Sequence, residues 1–190
     1  IAKKSKKHGV NNFVFASSCS VYGFAEEGKR SETSDVTPLT AYARSKVNAE
    51  NDLGICANDD FIVTCLRFAT ACGFSPRLRL DLVLNDFVTS AAATGKIEIL
   101  SDGTPWRPLI HVKDMARAID WAIKRTNESG GNFLKVNAGS NEWNYQVKEL
   151  AEGVKSVLPN TDIQINKNAA PDKRSYMVDF NLLKRLAPDY

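Results

Sequence analysis

Short apolar runs alternate with amphipathic segments along this chain. Residues 11–16 begin Asn-Asn, continue as Phe13-Val14-Phe15-Ala16 and give way to Ser17-Ser18, the outline of a short buried strand. A polar loop containing Gly23 and Gly28 runs on to Pro38. Thr40 suits an N-cap, and a helix is expected from there to about Ala57, with Ala43, Val47, Ala49, Leu53 and Cys56 near helical spacing. Asn58-Asp59-Asp60 breaks it. Residues 61–66, Phe-Ile-Val-Thr-Cys-Leu, form the strongest strand of the sequence, apolar on both faces. Apolar strands separated by a helix predict a parallel sheet with a helical crossover.

Beyond Gly73 the pattern changes. Residues 75–77 read as a turn and 81–94 as a helix ending at Gly95. Residues 97–100 read as a short strand, 102–103 as a turn and 106–112 as mixed. An amphipathic helix is predicted over 114–126, with Met115, Ala118, Ile119, Ala122 and Ile123 inward and Asp114 as its N-cap. Residues 133–137 form a further strand, and 145–158 a helix stopped by Pro159. Residues 163–165 and 176–178 alternate like edge strands. The fold class is α/β. A boundary is expected between 73 and 81, dividing residues 1–75 from 76–190, with 106–138 returning to the first sheet.

Composition narrows the classes. The chain has 190 residues, 43% hydrophobic and 25% charged, enough for a sizeable core and against wholesale disorder. No apolar run approaches the ~18 residues that span a bilayer. The opening residues, Ile-Ala-Lys-Lys, do not read as the apolar core of a secretory signal, and none is expected. Of the net charge of +3, Lys3, Lys4, Lys6 and Lys7 supply four positives, so the remainder sums to −1. Those lysines are expected to solvate a helix end, and a nucleic-acid face is not indicated. Cys19, Cys56, Cys65 and Cys72 form no C-x-x-C pair, and there are two histidines. Neither a zinc site nor a disulfide framework is expected, which fits a reducing cytoplasm.

Two segments carry candidate chemistry. Tyr42 and Lys46 lie one helical turn apart and share a face. A phenol ordinarily titrates near ~10 and is a poor base at neutral pH. A neighbouring ammonium favours the phenolate, which makes the pair a proton-transfer device. Alone, Tyr-x-x-x-Lys is a weak signal that also describes an exposed helical pair. The second segment, Ser17-Ser18-Cys19-Ser20-Val21-Tyr22-Gly23, comes directly after the first strand. Open α/β sheets place ligands at such strand ends, although a serine-rich turn is common in itself.

In combination these segments are more specific. A strand ending Ser-Ser-x-x-Val-Tyr-Gly, a helix with Tyr-x-x-x-Lys and an apolar strand ending Leu66-Arg67-Phe68 resemble the extended short-chain dehydrogenase/reductases. More narrowly, they resemble the NAD-dependent epimerase/dehydratase family acting on nucleotide sugars. Gly103-Thr-Pro-Trp-Arg107-Pro-Leu-Ile-His111-Val-Lys-Asp114 is similar to that family's Gly-x-x-x-Arg-Asp-x-x-His-Val-x-Asp segment. Leu82-Val-Leu-Asn85-Asp-Phe-Val is similar to its helix after the substrate loop. Asp172-Lys-Arg174-Ser-Tyr-Met-Val-Asp179 resembles its late substrate-side segment.

The resemblance implies the C-terminal part of a Rossmann-like parallel sheet plus a smaller α/β substrate-binding region. It implies Tyr42 as acid/base and Lys46 as the residue that holds the nicotinamide ribose. Ser18 would complete the triad, because it stands four residues before Tyr22. Tyr42, Lys46 and Ala69 would meet NAD; Ser18, Thr70, Asn85, Arg107 and Arg174 would meet the nucleotide-sugar substrate. Arg107 is expected in the same cleft as Tyr42, with its guanidinium unpaired or loosely paired. No metal, nucleic acid or membrane is implied, and the whole protein is expected to be a cytoplasmic homodimer. The implied activity is epimerisation like that of a UDP-glucose 4-epimerase. The alternatives are a reductase or decarboxylase of the same family, or a catalytically silent dinucleotide-binding relative.

Departures from the family pattern sharpen the expectation. Thr70 stands where the family often has Asn. Cys19 and Ser20 stand where the family's dehydratases carry an acidic pair, which argues against 4,6-dehydration. The Gly-x-x-Gly-x-x-Gly turn that cradles a dinucleotide pyrophosphate is not among these residues. The chain is therefore expected to be a fragment lacking about the first third of the family architecture, and not to hold NAD tightly or turn over substrate alone.

Overall fold

The computed structural model describes residues 1–25, 27–166, 168 and 174–190. Its central element is a parallel sheet of β1 (Asn12–Ser18), β3 (Ile62–Phe68) and β7 (Phe133–Ala138), with β3 in the middle. The register places Ser17 beside Arg67 and Ser18 beside Phe68, so the strands end together. Helices cover both faces, which is why β3 is apolar on both. Alternate side chains of a strand point to opposite faces. Val63 and Cys65 pack with Leu53 of α2 (Ala41–Cys56), while Leu66 and Phe68 pack with Ala118 and Ala122 of α4 (Val112–Lys124). Ser17 and Arg67 share parity with Val63 and Cys65 and so face α2.

Local chemistry sets the ends of these elements. Thr40 caps α2, its Oγ1 accepting from the Ala43 N–H at 3.1 Å. Gly95 ends α3 (Val83–Thr94) in the left-handed conformation, φ 69°, that glycine adopts without a Cβ penalty. The lysine-rich start folds as α1 (Ala2–Lys7), and Lys6 Nζ donates to the carbonyl of Cys56 at 2.7 Å, near the end of α2.

A second core joins α3 and α5 (Val147–Val157) to β5 (Lys96–Ile99) and β6 (Trp106–His111) through Phe87, Ala91, Ile97, Ile99, Leu109 and Leu150. Here β6 pairs parallel with β4 (Thr70–Cys72) and antiparallel with β8 (Asn144–Gln146). β5 pairs with β9 (Asp162–Ile165), and β2 (Lys29–Arg30) with β10 (Met177–Val178). A short α6 (Asn181–Leu186) comes last.

Four expectations are corrected. The helix expected over 145–158 begins at Val147, because residues 144–146 are used in pairing with β6. The segment 106–112, read as mixed, is strand as far as His111. Asp114 is not the cap of α4; His111 is, its Nδ1 accepting from the Lys113 N–H at 3.2 Å. Ile119 and Ile123 are not inward, being 36% and 53% exposed. The small Ala118 and Ala122 meet the core, with Met115 and Trp121 flanking them, and this turns the isoleucines outward. The four cysteines are unbridged. Among the described residues no helix is long and apolar enough to cross a membrane.

Candidate active site

The serine-rich motif is a strand end that turns sharply. Ser18 caps a 3-10 turn, Cys19–Tyr22, its Oγ accepting from the Ser20 N–H at 3.2 Å. Gly23 ends the turn at φ 67°, where a Cβ would fall 1.9 Å from the Thr37 carbonyl oxygen, so only glycine fits. Cys19 is buried and its thiol donates to the carbonyl of Arg67 at 3.0 Å. Burial pushes that thiol far above its ordinary value, with the nearby Arg67 opposing the shift.

Helix α2 brings its chemistry to this strand end. Lys46 Nζ donates to the carbonyl of Ala16 at 2.7 Å, two residues before Ser18. The same ammonium lies 4.9 Å from the ring centroid of Phe15 and 5.2 Å from that of Tyr42. Tyr42 is 57% exposed and so open to a ligand. The structure therefore places Tyr42 and Lys46 beside the end of β1, where Ser18 stands. The Ser18 and Tyr42 hydroxyls are not hydrogen-bonded to each other.

Tyr176 lies near Arg107 and Arg174. It is buried, which raises its phenol, and Cys19, Arg107, Arg174 and Tyr42 all lie within electrostatic reach of it. Arg107, on β6, donates through Nη1 to the carbonyls of Trp106, at 2.8 Å, and of Arg174. Its guanidinium is thus engaged rather than unpaired, because the 174–178 segment lies across β6, with Ser175 Oγ accepting from the Trp106 N–H. Asp172 and Lys173 of the late segment lie outside the described residues.

Asn85, in the first turn of α3, is buried. Its Oδ1 accepts from the Gly73 N–H at 3.2 Å and its Nδ2 donates to the Arg79 carbonyl at 3.0 Å, bracing the loop that precedes the helix. Ala69 is buried between β3 and β4, its N–H donating to Ala138 at 3.0 Å. Thr70 opens β4 opposite Leu109.

Sequence reasoning missed a buried polar chain beneath these groups. Glu50, Arg67, Tyr22 and Asn137 are linked side chain to side chain under the strand ends. Two signals could have found it. Glu50 continues the stripe of Tyr42 and Lys46 at four-residue spacing. Arg67 is a charge inside an apolar strand, and a buried charge needs a partner.

A parallel sheet flanked by helices, with Tyr-x-x-x-Lys beside the end of one strand, is the arrangement expected from the resemblance to the extended short-chain dehydrogenase/reductases. Residues 1–139 match the model of the NAD dependent epimerase/dehydratase family, and the chain belongs to that family. It is 28% identical over 176 residues to a UDP-glucose 4-epimerase of Bacillus subtilis, an alignment covering 83% of this chain and 51% of that protein. It is 29% identical over 136 residues to a dTDP-glucose 4,6-dehydratase of Streptomyces griseus, covering 70% of this chain and 40% of the relative. Among solved structures, MoeE5 in complex with UDP-glucuronic acid and NAD superposes with a TM-score of 0.82 at 27% identity, over 98% of this chain and 62% of MoeE5. The UDP-glucose 4-epimerase of Thermotoga maritima, with UDP-glucose, gives 0.83 at 24% identity over 97% and 59%, a likeness of fold. The chain spans about half the length of the curated relatives it matches.

Proposed function

We propose that the whole protein carrying this chain is an NAD-dependent nucleotide-sugar epimerase. Residues 1–75 would belong to its dinucleotide-binding part and 76–190 mainly to its substrate-binding part, with 106–138 returning to the parallel sheet. The observation that carries the reading is the position of Lys46, whose ammonium lies between the Tyr42 ring and the Ala16 carbonyl at the end of β1. Strand ends of this kind are where α/β sheets bind ligands.

The residues present suit the nicotinamide end of NAD. The acceptor of Lys46 is an exposed backbone carbonyl, which a ribose hydroxyl can join or replace. Tyr42 and Ala69 would complete that contact. The 190 residues contain no glycine-rich turn for the pyrophosphate, so on their own they are not expected to hold NAD tightly. When bound, the cofactor would accept and return a hydride.

The chain's own groups do the rest. Tyr42 would take the proton of the sugar hydroxyl as that carbon becomes a ketone, and would give it back after the ketone has turned over. Lys46, whose ammonium lies over the Tyr42 ring, would stabilise negative charge developing on the phenol oxygen. Ser18 would hydrogen-bond the same sugar oxygen. Arg107 and Arg174 would hold the diphosphate, for which a guanidinium is well shaped. Thr70 and Asn85 would line the substrate side.

The two residues after Ser18 favour epimerisation over dehydration. By resemblance, family dehydratases carry an acidic pair there. Here the Cys19 thiol is buried, bonded to Arg67 and kept protonated by burial, and Ser20 is no acid. The test is the fate of a label. UDP-glucose deuterated at carbon 4 is incubated with the whole protein and NAD. Deuterium retained at carbon 4 of both epimers is expected. A product that has lost water would contradict the reading.

A further inference from the structure

Helix α2 carries Tyr42, Lys46 and Glu50 at four-residue intervals, yet Glu50 is 1% exposed. Its Oε1 accepts from the Ser17 hydroxyl at 2.6 Å and from Arg67 Nε at 2.9 Å, and its Oε2 accepts from Arg67 Nη2 at 2.7 Å. Arg67, 2% exposed, donates through Nη1 to the Tyr22 hydroxyl at 3.1 Å, and that hydroxyl donates to Asn137 Oδ1 at 2.7 Å. Both carboxylate oxygens and three guanidinium nitrogens thus have partners.

A buried ion pair adds little net stability over apolar side chains of similar size, because the cost of leaving water offsets the attraction. What it adds is direction, since bidentate charge-assisted hydrogen bonds fix angle and register. Direction matters here because Ser17 immediately precedes Ser18. Ala16, one residue earlier, is held by Lys46. Two side chains one turn apart on α2 therefore grip two consecutive residues of β1. Glu50 and Tyr42 are eight residues apart, about 12 Å along the helix axis. A shift of α2 at Glu50 is carried along the rigid helix to Tyr42, and misplacing a reacting group by about 1 Å can cost about a hundredfold in rate.

We propose that Glu50, acting through Ser17 and Arg67, is a positioning residue that sets Tyr42 and Lys46 on the helix against Ser18 on the strand. The proposal rests on the assignment of those three residues to the reaction. Ser17→Ala, Glu50→Gln, the double variant and Tyr42→Phe are compared in the whole protein, using UDP-glucose and NAD. Ser17→Ala leaves the ion pair intact, so it reports even if Glu50→Gln fails to fold.

Ser17→Ala is expected to lower kcat about 3- to 10-fold and to raise the Kd for NAD several-fold as Lys46 shifts, with KM for the sugar nearly unchanged and Tm lowered by a few degrees. Glu50→Gln should lower kcat further, and the double variant should match Glu50→Gln alone, since both act through one contact. If Ser17→Ala and every folded Glu50→Gln protein keep the parent kcat and NAD affinity while Tyr42→Phe is inactive, the positioning role is overturned. If Tyr42→Phe is itself fully active, the catalytic assignment beneath the proposal falls, and the proposal with it.

Discussion

The Lys46 ammonium bonds the carbonyl oxygen of Ala16 at 2.7 Å, reaching from the middle of α2 to the backbone just before Ser18. The same ammonium lies 4.9 Å from the Phe15 ring centroid. Lys46→Met keeps the apolar stem and removes the charge. Its expected effect is a rate loss of about a hundredfold or more in the whole protein, with weaker NAD binding. Stability should change by no more than about 1 kcal/mol, because Ala16 is exposed and water can take up its carbonyl. Steady-state kinetics beside thermal unfolding separate the two effects.

Arg67 and Glu50, unlike Lys46, should carry a large share of stability. Arg67→Leu leaves Glu50 buried without its cation, which is expected to cost about 3–5 kcal/mol. Arg67→Leu combined with Glu50→Leu removes both charges and should recover much of that loss. Urea unfolding of the two variants is the check. Equal losses in both would mean that the two charges do not compensate each other.

Glu32 is expected to give the protein a pH dependence. Its carboxylate accepts from the Asn137 N–H at 2.8 Å. Partial burial holds it above its ordinary value of 4.5, opposed by that hydrogen bond and by Arg67 and reinforced by Asp179. The unfolded chain therefore loses this proton first. Stability should decline as pH rises from about 4.5 through the raised value, then level off. Glu32→Gln keeps an acceptor for Asn137 and should flatten that decline. Urea midpoints from about pH 4 to 7 measure it, and parallel curves for the two proteins would contradict the assignment.

Arg107 is held by the carbonyls of Trp106 and Arg174. If it binds the diphosphate, it does so in ground and transition states alike. Arg107→Ala should then raise KM for the nucleotide sugar with kcat nearly unchanged. A fall in kcat at constant KM would assign it a different role.

What could be read in the sequence was what local chemistry decides. The Thr40 cap, the two-faced apolar strand around Val63 and Cys65, and the Gly95 stop are each set by neighbouring residues. What could not be read depends on partners far along the chain. Residues 145–146 look helical until β6 claims them. Ile119 and Ile123 look inward until small alanines bring α4 onto the sheet. Glu50 could not be placed in the core, because its partner, Arg67, stands on the next strand. Asn85 illustrates a different limit. Its amide could be matched to a family position, but its use in bracing Gly73 and Arg79 is a property of the folded loop.

The central claim is that the phenol of Tyr42 carries the proton of the reacting sugar hydroxyl. Tyr42→Phe deletes one oxygen from a side chain that is largely exposed, so the fold should be undisturbed. The measurement is the rate of interconversion of UDP-glucose and its 4-epimer by the whole protein with NAD, parent against Tyr42→Phe. A loss of about 10²- to 10⁴-fold, with NAD affinity largely kept, is the predicted result. Interconversion at the parent rate would contradict the account.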